Sequence, residues 1–139
     1  MLKLELVTLE GIKFAEEVYE VLVPTPGGQI ALFDNHAPLI SLIETGELAV
    51  RRTKGSEDLQ YYAVSGGSLE VGEGRVRVLV DEAAHSDELS AEESAKALAT
   101  ANELLRAAKD RVSIDKAQAL VAREQTRLRV AELRRRKKR

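Results

Sequence analysis

Apolar and polar residues alternate with a period of two up to about residue 81, which is the pattern of β-strands that bury one face. Residues 2–8 show it clearly, because Leu2, Leu4 and Leu6 are separated by polar residues. Clusters of Gly, Ser, Thr and charged residues interrupt the alternation at the spacing typical of an antiparallel sandwich or barrel. The predicted strands cover residues 3–8, 12–23, 29–33, 41–43, 46–53, 59–64, 68–71 and 75–81. The second breaks strict alternation, which predicts a β-bulge.

From Ser90 onward the apolar residues recur at helical spacing. Ser90 and Glu93 form a capping-box signal at the start of a first helix. The helical pattern weakens at residues 111–115, where Asp115 is a favourable N-cap for a second helix. A break this short predicts an antiparallel helical hairpin. The predicted fold class is therefore α+β, with an N-terminal antiparallel β-sandwich in residues 1–86 and a C-terminal two-helix hairpin in residues 87–139.

The predicted buried stripe of the hairpin is rich in alanine and contains one polar residue on each helix, Asn102 and Glu124. Alanine lets helices approach closely, but it buries little area at about 25 cal/mol per Å². The sequence therefore predicts a weakly held hairpin on a rigid sandwich, which is a candidate moving part.

Composition excludes several kinds of site. The chain has no cysteine, so disulfides, thiolate metal sites and a cysteine nucleophile are excluded. No apolar run approaches the roughly 20 residues that span a bilayer. The first residues alternate and carry acids, unlike a signal or transit peptide. We therefore expect a soluble chain that works in the compartment where it is made.

Charge is distributed unevenly along the chain. Residues 1–86 hold 7 basic and 14 acidic residues, whereas residues 115–139 hold 10 basic and 3 acidic residues. This asymmetry predicts two modules with different surroundings and a negatively charged partner for the C-terminal tail.

Residues 23–50 and 61–90 together resemble the epsilon subunit of the F-type rotary ATP synthases. The most specific pieces are His36-Ala37-Pro38-Leu39, the Gly46-Glu47-Leu48 turn, and Ser65-Gly66-Gly67 leading to Leu69-Glu70-Val71. The resemblance implies a sandwich of about ten strands and two C-terminal helices. It also implies a non-catalytic rotor subunit at the foot of the central stalk, against the gamma subunit and the membrane ring, which couples ion-driven rotation of the ring to ATP synthesis.

The resemblance further implies a location peripheral to a membrane. That location is the cytoplasmic face of the bacterial plasma membrane or the stromal face of the plastid thylakoid. It also implies that the C-terminal helices inhibit ATP hydrolysis, either folded on the sandwich or extended along gamma.

The loop before residue 39 carries one of the two histidines of the chain. His36 could be a general base oriented by Asp34 or a metal ligand, but no further residues complete such a constellation. We interpret His36 as a turn residue that bonds to backbone, and we predict no catalytic and no metal-binding residue. The resemblance implies instead a contact loop for the polar loops of the ring, formed by Gln29, His36, Pro38 and Leu39.

This loop departs from the family, which usually reads Gly-Val-Leu-Pro-Gly before the His-Ala-Pro. Here the residues are Ala31-Leu32-Phe33-Asp34-Asn35. Asp-Asn keeps turn chemistry, because Asn tolerates positive φ and Asp caps its own turn.

Two other motifs have simple interpretations. The Ser65-Gly66-Gly67 motif lacks the lysine and the following helix of a phosphate-binding loop, so we interpret it as a tight turn where strands approach closely. His85 falls in the acidic connector between the modules, and we interpret it as a solvated linker residue.

Some epsilon subunits bind ATP through an Ile-Asp-x-x-Arg-Ala pattern on the first helix and arginines on the second. The matching residues here are Glu103, Arg106, Arg123 and Arg127, and ATP would be regulatory because no nearby group could hydrolyse it. Arginine suits phosphate because its planar fork donates two hydrogen bonds. The alternative is that these arginines are solvated or paired with Glu103 and Glu124.

The C-terminal basic run allows two partners. It comprises Arg127, Arg129, Arg134, Arg135, Arg136, Lys137, Lys138 and Arg139. Basic tails bind nucleic acid non-specifically, and the alternative function is a free-standing β-sandwich adaptor whose helices bind RNA. No aromatic residue is interleaved for base stacking, so no nucleic-acid partner is predicted. The resemblance implies the acidic loops of the catalytic beta subunits as partner. An enzyme is the weakest alternative.

Overall fold

A computed structural model describes the backbone of residues 1–137 and the side chains of residues 1–134. Eight strands come first in the chain: β1 Leu2–Thr8, β2 Gly11–Val18, β3 Glu20–Thr25, β4 Gly28–Leu32, β5 Leu39–Ile43, β6 Gly46–Arg51, β7 Leu59–Gly72 and β8 Arg75–His85. A single turn of 3-10 helix follows at Ser86–Glu88. The α-helices are α1 Ala91–Ala107 and α2 Arg111–Lys137.

The two longest strands, β7 and β8, belong to both layers of a sandwich. Residues 67–72 of β7 and 75–80 of β8 pair with each other and continue outward through β5 on one side and β1 and β2 on the other. We name this the open layer. Residues 59–65 of β7 and 82–85 of β8 form the covered layer with β6, β3 and β4.

One hydrophobic core lies between the layers. Leu4 and Val78 of the open layer and Leu48 and Val64 of the covered layer are each at most 1% exposed. The alternation of the sequence therefore places leucine and valine inside, as predicted. The predicted bulge is also present. Leu6 pairs with Phe14 and Val7 pairs with Ile12, so β2 has one extra residue at this point.

The strand count and the pairing differ from the prediction. Eight continuous strands are present within residues 1–137 rather than about ten. The predicted strand 12–23 is divided at Tyr19, and the predicted strands 59–64 and 68–71 are both part of β7. The sheet is also not wholly antiparallel, since β1 pairs with β8 in parallel.

The turn that was predicted at Gly66 and Gly67 is absent. They lie inside β7, so the prediction of a tight turn is wrong, but the prediction of a close strand approach is right. A Cβ on Gly67 would lie 1.9 Å from the Leu79 carbonyl oxygen of β8. Glycine here permits one long strand to cross from one layer to the other against its neighbour.

We therefore expect Gly67→Ala to destabilise the sandwich strongly. Its Cβ meets backbone atoms that cannot rotate away, so overpacking should lower the free energy of unfolding by about 1–3 kcal/mol or more. Urea denaturation followed by circular dichroism measures the change. The control is Gly66→Ala, whose Cβ would meet its nearest atom at 3.8 Å. Equal midpoints for the two variants would contradict this explanation.

The second helix begins earlier than predicted. Asp110 accepts a hydrogen bond from the Ser113 N–H at 2.7 Å, and α2 starts at Arg111. The Ser113 hydrogen bonds lower the pKa of the Asp110 carboxyl. Asp115 is therefore not the N-cap; it lies inside the helix, 3.5 Å from Arg111 one turn before it. The prediction overlooked that a helix tolerates Val, Ser and Ile in its first turn once Asp110 caps it.

The first helix begins as predicted. The Ser90 hydroxyl accepts from the Glu93 N–H at 3.3 Å. The two helices contact each other, and α2 also lies against β6, β7 and the 3-10 helix.

The outer face of the covered layer is lined with alanine. Ala49, Ala63 and Ala84 alternate with core residues and are at most 9% exposed, because α2 covers this face. Val130 and Ala131 of α2 pack there with Ala63, Ala84 and Leu89. Because α2 contacts both the sheet and α1, its buried face is wider than a single stripe and includes Val130 and Thr126.

Candidate functional site

The outer face of the open layer carries a row of partly to largely exposed side chains that are apolar except at Ser68. Cross-strand pairing aligns one residue from each strand, in the order Leu42, Ser68, Leu79, Val7 and Ile12. The exposed fractions of Leu42, Leu79 and Ile12 are 67%, 37% and 70%. We name these five residues the apolar row. Contiguous exposed apolar side chains of this kind mark interaction surfaces.

The neighbouring row is charged and flanks the apolar row on one side. Arg77 lies 3.3 Å from Glu5, and Arg75 lies 3.9 Å from the same carboxylate. Ile40 ends this second row and is 81% exposed. An apolar centre beside ion-paired polar residues is the usual composition of a protein–protein interface.

The loop before β5 adopts the predicted Asp-Asn turn. Asn35 has a positive φ of 65°. Its N–H donates to Asp34 at 3.0 Å. The second Asp34 oxygen lies 3.2 Å from the amino group of Met1. Asp34 is therefore engaged by the turn and the N-terminus, and not by the histidine ring.

His36 is exposed, and its Nδ1 lies 2.7 Å from the Ala37 carbonyl oxygen. That nitrogen donates to backbone, which agrees with the interpretation of a turn residue. Pro38 and Leu39 line a shallow groove with Glu73 and Arg75. Gln29, the fourth residue predicted for the contact loop, is exposed near the start of β4, the edge strand of the covered layer.

Two of the four residues predicted to bind nucleotide lie together. Arg123 contacts Glu82 with two nitrogens, Nε and Nη2, and Nη2 donates at 3.0 Å. Its Nη1 donates to Glu124 at 3.0 Å. Arg127 lies 3.9 Å from Glu124, which is buried. Glu103 and Arg106 are exposed on the last turns of α1.

No hydrogen bond or ion pair within the described side chains joins Glu103 or Arg106 to these two arginines. The structure thus places the predicted set in two groups. The alternative interpretation, a pairing of the α2 arginines with Glu124, is observed.

Two further arginines of the basic tail contact acids outside α2. Arg129 lies 3.2 Å from Glu47 of β6. Arg134 lies 3.2 Å from the Asp87 carboxylate and donates to the Asp87 carbonyl oxygen at 3.3 Å. The other predicted tail residues lie outside the described side chains: Arg135, Arg136, Lys137, Lys138 and Arg139.

Sequence reasoning missed the acids that receive these arginines. Glu47 and Glu82 occupy outward strand positions close to the outward alanines, and Asp87 lies in the 3-10 helix. The hydrophobic pattern of β6 and β7 already indicates that another element covers their outer face. Residues 48–50 and 62–64 are buried without interruption, and an apolar residue at every position indicates that both faces of a strand are covered.

His85 is not a solvated linker residue. Its Nδ1 accepts from the Asp87 N–H at 3.0 Å, and Glu88 accepts from the His85 N–H at 3.1 Å. The Tyr62 ring packs edge-on at 4.9 Å between centroids. Lys13 of β2 lies 2.8 Å from Glu88, and this hydrogen bond lowers the Glu88 pKa. The connector is ordered because β8 continues to His85, which then caps the 3-10 helix.

In the part of the chain that the structure describes, no three His, Asp or Glu side chains are grouped so that they could hold a metal ion. Among its described helices, neither is long and apolar enough to cross a membrane.

Comparison with known proteins agrees with this architecture. Residues 1–86 match the family model of the ATP synthase delta/epsilon chain β-sandwich domain. The ATP synthase epsilon chain of Chloroflexus aggregans is 36% identical over 136 residues, which cover 98% of this chain and 96% of that protein.

Two solved structures share the fold. A chain of the Euglena gracilis mitochondrial ATP synthase, in a structure of its OSCP, F1 and c-ring, has a TM-score of 0.78 at 22% identity, covering 90% of this chain and 78% of its own. A chain of the Tetrahymena thermophila mitochondrial ATP synthase central stalk and c-ring has a TM-score of 0.69 at 12% identity, covering 94% and 96%.

Proposed function

This chain belongs to the family of ATP synthase epsilon chains, and we propose that it is the non-catalytic central-stalk subunit of an F-type ATP synthase. The single observation that carries the proposal is the asymmetry of the sandwich. One outer face is covered by the hairpin of the chain itself, and the other presents the apolar row to a partner.

The gamma subunit is the partner proposed for the apolar row. A stalk contact must transmit torque, so it needs a packed apolar centre that does not slide. Leu42, Leu79 and Ile12 supply that centre, and the ion pairs of Glu5 supply a polar margin.

The part proposed to contact the ring is the predicted contact loop of Gln29, His36, Pro38 and Leu39. Its Gln29 and His36 side chains are polar and exposed, and the backbone before His36 is fixed by the Asp-Asn turn. Polar loops of the ring suit such a surface. The sandwich would then join ring to gamma, so that ion-driven rotation of the ring turns the shaft, peripheral to the bacterial plasma membrane or the plastid thylakoid.

The helices are proposed to be an antiparallel hairpin with two positions. Ala91 and Ala95 near the start of α1 line one groove with Leu128 and Ala131 near the end of α2, which supports the antiparallel arrangement. The position seen here is folded on the sandwich. Extended along gamma, α2 would present its arginines to acidic loops of the catalytic beta subunits and resist ATP hydrolysis.

Regulatory ATP binding to the hairpin is a further proposal from the resemblance. Its phosphates would have to displace Glu82 and Glu124 from Arg123, because these two carboxylates engage all three guanidinium nitrogens. Equilibrium binding of labelled ATP to the whole chain tests it. Binding that persists in the Arg123→Ala and Arg127→Ala double variant would remove these residues from the site.

The proposed function is tested by purification from membranes. We expect a tagged full-length chain to recover an ATPase complex, and tagged residues 1–86 to recover it too, because the sandwich has its own core. Recovery by neither would contradict the stalk assignment. Recovery by the full chain alone would contradict the division at residue 86. Recovery of ribosomes or transcripts instead would favour the RNA-binding adaptor.

A further inference from the structure

Three carboxylates outside α2 each contact a different arginine on that helix. Glu82 of β8 contacts Arg123, Glu47 of β6 contacts Arg129, and Asp87 of the 3-10 helix contacts Arg134. The contacts come from three separate elements. They are spread over three turns of the helix, which is the length that rests on the covered layer.

We propose that Glu47, Glu82 and Asp87 form a carboxylate latch that competes with the catalytic complex for the same arginines. The inference rests on the proposed function, because Arg129 and Arg134 belong to the basic tail assigned to the brake. In the folded position their guanidinium groups face the acids of their own chain. Any other acidic surface must therefore exchange with these acids before it can bind the same arginines.

The apolar contact beneath the helix is too small to fix the hairpin by itself. It consists mainly of alanines, with Val130, Leu89 and Tyr61 as its larger members. Burial in proportion to apolar area therefore contributes little. The ion pairs therefore contribute a larger share of the docking free energy than they would at a leucine-rich interface.

The latch has a simple exchange chemistry. A partner surface that carries carboxylates offers each arginine the same kind of ligand that it leaves behind. The arginine can therefore exchange one carboxylate for another without remaining unpaired. Arg123 is the most firmly held, because it contacts Glu82 with two nitrogens and Glu124 with a third. Arg129 is the most exposed of the three at 59%.

Removing the acids and removing the arginines should have different effects on inhibition. Removing the three acids should free the hairpin and leave Arg129 and Arg134 available to the brake. Removing the arginines should also free the hairpin, but it deprives the brake of its contacts. The two sets of variants should therefore change docking alike and change inhibition in opposite directions.

The first experiment measures docking in the isolated full-length chain. Because the chain has no cysteine, Lys54→Cys and Gln125→Cys introduce two exposed labelling sites, one on the sandwich and one on α2. The latch variant is Glu47→Gln, Glu82→Gln and Asp87→Asn. We expect energy transfer between the labels to report a roughly tenfold rise in the detached fraction, since three weak pairs act together.

The control removes three acids that do not face α2, by Glu10→Gln, Glu17→Gln and Glu57→Gln. It makes the same change in net charge. A detached fraction that is equal in the latch variant and this control overturns the latch.

A charge reversal keeps the test decisive if the triple variant folds poorly. Glu47→Arg places two cations together and should release the hairpin, and the further change Arg129→Glu should restore docking. Failure of the second change to restore docking also counts against the latch. ATPase activity of the assembled complex judges the proposed function separately: release without stronger inhibition contradicts the brake and the competition with it, whereas the role of the three acids in docking is judged by the detached fraction alone.

Discussion

Replacing Leu42 and Leu79 together by glutamate should remove this chain from the ATP synthase complex. Both side chains lie on the apolar row, with exposed fractions of 67% and 37%, so neither belongs to the core of the sandwich. Each leucine buried at an interface is worth about 1.5–3 kcal/mol. Two buried carboxylates without partners add a further penalty of several kcal/mol.

The combined loss corresponds to a reduction in affinity of about a thousandfold or more, because each 1.4 kcal/mol is a factor of ten. Recovery of the chain with the membrane ATPase, compared by affinity purification, measures it. The matched control is Leu104→Glu with Val112→Glu, at two aliphatic residues of the helices that are 52% and 62% exposed. Undiminished assembly of the Leu42 and Leu79 variant would mean that gamma binds elsewhere.

Deletion of residues 115–139 should raise the ATPase activity of the assembled complex several-fold and leave coupling intact. The deleted part contains Arg127, Arg129 and Arg134 and most of a helix of 27 residues. At 1.5 Å per residue that helix spans about 40 Å, which is long enough to reach along a stalk. The sandwich keeps its core, because the core residues all precede residue 86.

Neutralising the six residues 134–139 should have a smaller effect of the same sign. Added salt should act likewise, because it screens exposed charges over about 10 Å at 0.1 M. The tail carries eight basic residues in sequence, and within the described side chains three arginines of α2 contact acids outside that helix; we expect screening to weaken the brake more than the latch. An ATPase rate that is unchanged by the deletion would remove the brake from the account.

The alternation of the sequence predicted most strands but not their continuity. Periodicity reports which face of a residue is buried, and it does not report whether glycine marks a turn or a crossing. Gly66 and Gly67 could have served either purpose, and only the proximity of β8 at Leu79 decides it. The parallel pairing of β1 with β8 was equally hidden, because it joins residues more than 70 positions apart.

The candidate site could be predicted only in part, because sequence patterns report local contacts and not long-range ones. The Asp34-Asn35 turn and the Ser90 cap are local, and both could be predicted from residue chemistry. The contacts of Glu47, Glu82 and Asp87 with α2 depend on how the hairpin folds back, which no local pattern encodes. The apolar row likewise exists only after five strands are aligned.

We expect the open layer to face the gamma subunit, and a single cross-link can test this contact. Ser68 lies on the apolar row between Leu42 and Leu79, and Ser68→Cys creates the only thiol of the chain. A short photoactivated cross-linker attached there, in the purified complex, should yield a product with gamma. A product with the catalytic subunits alone would show that the open layer does not face gamma. The absence of any product, while a cross-linker on Gln125→Cys reacts, would show the same.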